Sequence, residues 1–77
     1  MQEFRLSVFY QGAFLSYDIT TEDAVVFHFA LKSAPQGSLY APDHFAVLHK
    51  DESWEFDTQL ETAFKKSVVH TLKKAKV

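Results

Sequence analysis

The side chains best suited to chemistry in this sequence are four histidines, His28, His44, His49 and His70. Imidazole binds transition metals well, but zinc sites are usually built from two close-spaced ligand pairs, and the chain has no Cys to supply one. Asp43 adjoins His44, and His28 falls on a neighbouring strand in the reading given below. His44 and His49 stand five apart in an extended segment, an odd spacing that turns them to opposite faces. Scattered surface histidines fit this pattern better than a metal centre, so no metal and no cofactor is expected.

Nucleophilic catalysis requires a hydroxyl or thiol held by an oriented base. With no Cys, the nearest approach is Ser16 beside His28 across a strand pair, with Ser7 next in line. That pair would lie on an open sheet face, without an oxyanion hole and with little to exclude water. A small histidine-dependent enzyme using His28 or His44 is therefore the poorest of the function classes, and no catalytic residue is assigned. The carboxylate pairs Glu22-Asp23 and Asp51-Glu52 sit at expected turns, where acids are well solvated. The two glycines form no phosphate-binding loop.

Charge is unevenly placed. Residues 1–56 carry −5 and residues 57–77 carry +3, which together make the net charge of −2. The basic end holds Lys65, Lys66, Lys73, Lys74 and Lys76, a set that could meet phosphates and makes nucleic-acid binding the alternative function. Against it, Arg5 is the sole arginine, and arginine is the main base-reading side chain. The acidic remainder would repel a long polyanion.

These residues must be positioned by a chain of 77 residues, which allows one domain, 1–77. A domain this small buries only about 60% of its unfolded surface, so it needs large apolar side chains. Eight Phe, three Tyr and one Trp supply them. The N-terminal residues have neither a basic region nor a long apolar stretch, so no signal peptide is expected, and apolar runs such as Ala24–Phe27 are far too short to cross a membrane. The cysteine-free composition is compatible with a cytoplasmic protein.

Alternation around Gln11-Gly12 predicts a β-hairpin with Phe4 opposite Ile19, Leu6 opposite Tyr17 and Val8 opposite Leu15 on one face. The other face then pairs Arg5 with Asp18, Ser7 with Ser16 and Phe9 with Phe14. After the polar break at residues 20–23, alternation from Val25 to Lys32 predicts a third strand, with Val25 by Ile19, Phe27 by Tyr17 and Phe29 by Leu15. Residues 33–43 form the long loop, with both prolines and the large side chains Leu39 and Tyr40. Residues 45–50 and 53–56 read as strands four and five around an Asp51-Glu52 turn, with Val47 opposite Phe56 and His49 opposite Trp54.

The segment 57–76 reads as a helix. Thr58 and Glu61 suit a capping box, and Leu60, Ala63, Phe64, Ser67, Val68, Thr71, Leu72 and Ala75 make one stripe. Acids at its start and lysines at its end suit the helix dipole. The predicted fold is α+β, an antiparallel four- to five-stranded meander with one C-terminal helix packed on one face.

One helix covers one face, and the other would show Phe9, Phe14, Val26 and Ala30, with either Ala46 and Leu48 or Phe45 and Val47. A contiguous apolar patch there marks a partner surface, unless Leu39 and Tyr40 fold back over it. The leading expectation is a small non-catalytic protein-interaction module, binding a protein partner or a second copy as a homodimer. Its candidate contact residues are Phe9, Phe14, Val26, Ala30, Leu39 and Tyr40, with an edge strand as a further route.

Overall fold

The structure, a computed structural model, describes residues 2–35 and 40–75. Strands β1 (Gln2–Tyr10), β2 (Ala13–Thr21), β3 (Val26–Ser33), β4 (His44–Lys50) and β5 (Ser53–Phe56) form one antiparallel sheet in sequence order, followed by helix α1 (Thr62–Lys74).

Two tight turns frame the sheet. Gln11 and Gly12 have φ of 52° and 76°, and Asp51 and Glu52 have φ of 52° and 64°. Two consecutive left-handed residues form the turn whose twist matches that of the flanking strands. Each therefore fixes a register. Phe4↔Ile19, Leu6↔Tyr17, Val8↔Leu15, Arg5↔Asp18, Ser7↔Ser16 and Phe9↔Phe14 all pair as the sequence predicts. So do Val47↔Phe56 and His49↔Trp54. Arg5 Nε donates to Asp18 Oδ1 at 2.7 Å across the first pair.

The β2–β3 register differs from the expected one by four residues. Ile19 opposes Phe29, Tyr17 opposes Leu31, Asp18 opposes Ala30 and Thr20 opposes His28. Side-chain turn chemistry is the cause. Asp23 Oδ1 accepts the Val25 and Val26 amides at 2.9 and 3.1 Å, and Thr21 Oγ1 accepts the Ala24 amide at 2.9 Å. These bonds carry β2 through to Thr21, place Ala24 at φ 61° and start β3 at Val26. Because the shift is even, the same side chains still face the core. A register irregularity follows at Ser16/Tyr17, where Ser16 opposes Ser33 and Lys32 is the extra residue.

The helix also starts later than expected, at Thr62 rather than near residue 58. No capping box forms, because its members are engaged elsewhere. The Thr58 hydroxyl donates to Asp57 Oδ1 at 3.0 Å, and Glu61 Oε1 accepts the Tyr10 hydroxyl. Glu61 is the N-cap residue without a side-chain cap bond, and its amide donates to the Tyr40 hydroxyl at 2.9 Å. The first turn of α1 contains no acid, while Lys73 and Lys74 occupy the last turn as the dipole favours.

The core lies between this helix and one sheet face. Val8, Leu15, Tyr17, Ile19, Phe27, Phe29, Phe45 and Val47 are buried against Phe64, Val68 and Leu72, the innermost line of the expected stripe. Phe64 is the centre of a ring cluster, with centroids of Tyr10, Tyr40, Phe45 and Tyr17 at 5.3, 5.4, 5.7 and 6.5 Å. Tyr17 is fully buried, and its hydroxyl donates to the Pro42 carbonyl at 2.8 Å, tying the returning loop to the core. Burial raises the Tyr17 phenol well above its ordinary pKa. Among the described residues, no helix is long and apolar enough to cross a membrane.

Candidate functional site

The face away from the helix is built by the alternate residues of each strand. Successive rows across it are Phe9–Phe14, Ser7–Ser16, Arg5–Asp18–Ala30–His44, Glu3–Thr20–His28–Ala46 and Val26–Leu48–Glu55. The Ala46–Leu48 alternative is thus the outward one, with Phe45 and Val47 in the core.

The β2–β3 register decides how this face is divided. In the expected register Phe14 would oppose Ala30 and extend the apolar patch; in the observed one Ala30 opposes Asp18. Val26 lies a further two rows on, beside Leu48. The continuous patch is therefore split in two. Phe9 and Phe14 stand together at the β1–β2 hairpin end, 52% and 62% exposed, with ring centroids 4.8 Å apart. Val26, Ala46 and Leu48 line a separate hollow of about 280 Å³ with Glu55, Phe56 and Asp57. The Arg5–Asp18 ion pair lies between them.

Tyr40 does not cap the outward face. Its ring lies 5.8 Å from Tyr10 and 5.4 Å from Phe64, on the helix side, and its hydroxyl receives the Glu61 amide. Leu39 and Lys76 lie outside the described residues.

The lysines spread over one side of the helix, and Lys66 borders both hollows beside it. At about 100° per residue, Lys66 and Lys73 point nearly the same way, with Lys65 on one flank of them and Lys74 on the other. Lys66 and Lys74 border a hollow of about 420 Å³ whose opposite wall is Phe9, Phe14 and Ser7, with His70 and Thr71 between. Lys65 and Lys73, with Lys66 also at the border, line a larger groove of about 900 Å³ shared with Trp54, Phe56, Thr62 and Val69. Lys65 Nζ stands 6.0 Å from the Phe56 ring centroid. Sequence reasoning did not identify this groove. The available signal was Val69, an apolar residue off the helical stripe, together with the alternation of Trp54 and Phe56 on the shortest strand.

The expected Ser16–His28 pairing is absent, again because of the register: Ser16 opposes Ser33, and His28 lies between Thr20 and Ala46. His44 is on the outward face and His49 on the helix side, where it stacks on Trp54 at 3.7 Å and 6°. No three His, Asp or Glu side chains come together as a metal-binding group among the described residues.

Two carboxylates are shifted by structural roles. Backbone amides of Val25 and Val26 hold Asp23 below the usual carboxylate range, and the Ala46 amide does the same for Asp57, aided by Thr58. Tyr10 is pushed from its ordinary 10.0 up to about 12, first by its hydrogen bond to Glu61 and then by burial. These groups hold a turn, a strand end and the helix start. None faces the Phe9–Phe14 hollow. No protein-family model matches the chain, and no curated protein or solved structure matches it.

Proposed function

We propose that this chain is a small non-catalytic protein-interaction module, of cytoplasmic location, that docks a protein partner on the Phe9–Phe14 end of its outward sheet face. The observation that carries this reading is the exposure of those two rings, in contact with each other and the most exposed large apolar side chains among the described residues. Aromatic side chains at the centre of an interface contribute most of its binding energy. Lys66 and Lys74 at the rim favour a partner that presents acidic groups around an apolar anchor, and their charges would speed its encounter. A second copy of the chain is the homodimeric form of the same reading.

The test uses Phe9→Ser combined with Phe14→Ser. Both rings contact each other and not the core cluster, so the variant should fold, losing only the cross-strand aromatic pair, on the order of 0.5–1 kcal/mol. Light scattering over a dilution series reports self-association, and affinity capture from extract reports a foreign partner. Loss of association in a variant with a native circular-dichroism spectrum supports the reading. Equal association by both proteins contradicts it.

Nucleic-acid binding is the second reading, favoured by one observation: Lys66 and Lys74 lie beside two exposed rings, the cation-and-aromatic combination on which single strands stack. The single arginine is already paired to Asp18, and Lys65 and Lys73 line the β5–α1 groove, which Lys66 also borders. Affinity for a single-stranded oligonucleotide that falls steeply with salt, and falls again on Lys66→Glu with Lys74→Glu, would establish this reading in place of the first.

A further inference from the structure

The groove between β5 and α1 has a strand edge as one of its walls. β5 is the last strand of the sheet. In an antiparallel pair, hydrogen-bonded and non-hydrogen-bonded residue pairs alternate. The two-residue turn makes Lys50↔Ser53 a bonded pair, Leu48↔Glu55 the next, and the Asp57 amide continues the series by donating to the Ala46 carbonyl at 3.1 Å. The backbone groups of Trp54 and Phe56 are therefore the ones turned away from β4, at the sheet edge beside the groove that both residues line.

The charges along this groove are one-sided where they are free. Lys65, Lys66 and Lys73 project from the helix wall. Of the two acids on the opposite wall, Glu55 belongs to the outward-facing row with Leu48, and Asp57 is already held by the Ala46 amide at 2.8 Å and the Thr58 hydroxyl. Trp54, Phe56 and Val69 supply apolar surface between the lysines and the strand edge. An added strand would lie about 4.8 Å from β5, beside an open groove of about 900 Å³.

We propose that the β5 edge and this groove accept an extended acidic segment of another protein as a sixth strand. Its backbone pairs with Trp54 and Phe56, alternate apolar side chains lie against Phe56 and Val69, and its carboxylates meet Lys65 and Lys73. This is strand addition, in which backbone bonds supply affinity and side-chain pockets supply choice of sequence. The site shares Lys66 and His70 with the rim of the Phe9–Phe14 hollow but uses neither of those rings.

The experiment is amide chemical-shift mapping of the whole chain with three blocked synthetic peptides: alternating Glu-Val, alternating Lys-Val, and the Glu-Val peptide N-methylated throughout. The Glu-Val peptide should shift the amides of Ser53–Phe56 and of Lys65–Lys73. Both control peptides should bind at least about tenfold more weakly, since one carries the wrong charge and the other cannot pair its backbone. Lys65→Glu with Lys73→Glu, two exposed or half-exposed helix positions, should weaken the Glu-Val peptide by a similar factor. Phe9→Ser with Phe14→Ser should leave its binding unchanged, which separates this site from the surface proposed above. Equal binding of the N-methylated or Lys-Val peptide, no shift in β5, or shifts centred on Phe9 and Phe14 would each overturn the proposal. Concentration-dependent shifts of Ser53–Phe56 without peptide would assign the edge to a second copy, and tighter binding of an oligonucleotide in the same groove would assign it to nucleic acid. Either result also overturns it.

Discussion

Replacing Phe64 with Ala should remove most of what holds the helix to the sheet. Phe64 is completely buried, and its ring meets those of Tyr10, Tyr17, Tyr40 and Phe45. Buried Phe→Ala changes cost about 3–5 kcal/mol, the larger values arising where the cavity cannot collapse. Collapse is restricted here because two lining rings are anchored by their hydroxyls, Tyr17 to Pro42 and Tyr10 to Glu61. The expected loss is therefore near the top of the range, about 4 kcal/mol. A chain of 77 residues has a total stability of roughly 4–12 kcal/mol. Phe64→Ala should accordingly lower the urea midpoint severely or unfold the protein at room temperature. Phe64→Leu, which keeps much of the volume, should cost under about 1.5 kcal/mol and remain measurable. Unfolding can be followed by Trp54 fluorescence, far from the altered ring in sequence, and by helical circular dichroism. A loss below about 1 kcal/mol for Phe64→Ala, with both signals still melting together, would refute the placement of Phe64 as the centre of the core.

Three further outcomes follow from local geometry. Asp51→Asn with Glu52→Gly should stabilise the protein by about 1 kcal/mol in thermal melts, because both residues now occupy left-handed backbone that Asn and Gly adopt at lower cost. The raised Tyr10 pKa makes stability fall at alkaline pH: the folded chain favours the protonated phenol, so the contribution is intact below pH 10.0 and lost as pH rises through about 12. Tyr10→Phe should flatten that limb in pH-dependent melts, and an unchanged slope would exclude the Glu61 bond as its cause. The Arg5–Asp18 pair, 59% and 38% exposed, should show a double-mutant coupling of only about 0.2–1 kcal/mol that weakens with salt.

Much of this fold is legible in the sequence because strand periodicity and two turn dipeptides specify it locally. Gln11-Gly12 and Asp51-Glu52 mark the hairpins, and the pairing of Arg5 with Asp18 and of His49 with Trp54 follows from counting outward. The β2–β3 register is not legible in the same way. Its turn depends on Asp23 and Thr21 side chains bonding specific amides, and its left-handed residue is Ala24, a type that gives no such signal. Alternation alone cannot detect the error, since an even shift preserves the faces. The consequence falls on the candidate surface, where Ala30 and Val26 leave the neighbourhood of Phe14. Tyr40 was equally hidden: nothing in a loop sequence shows that one hydroxyl will accept the amide at the start of a helix. Thr58 and Glu61 carried the right spacing for a cap but met stronger partners in Asp57 and Tyr10.

The claim that Phe9 and Phe14 form a docking surface is tested most directly by placing a photocrosslinker on it. p-Benzoylphenylalanine at position 14, expressed in living cells, should give a discrete covalent adduct after illumination, a partner conjugate or a dimer. The same residue at Thr20, on the same face but three rows away, should give none. Absence of a discrete adduct at position 14, or equal adducts at both positions, would contradict the account.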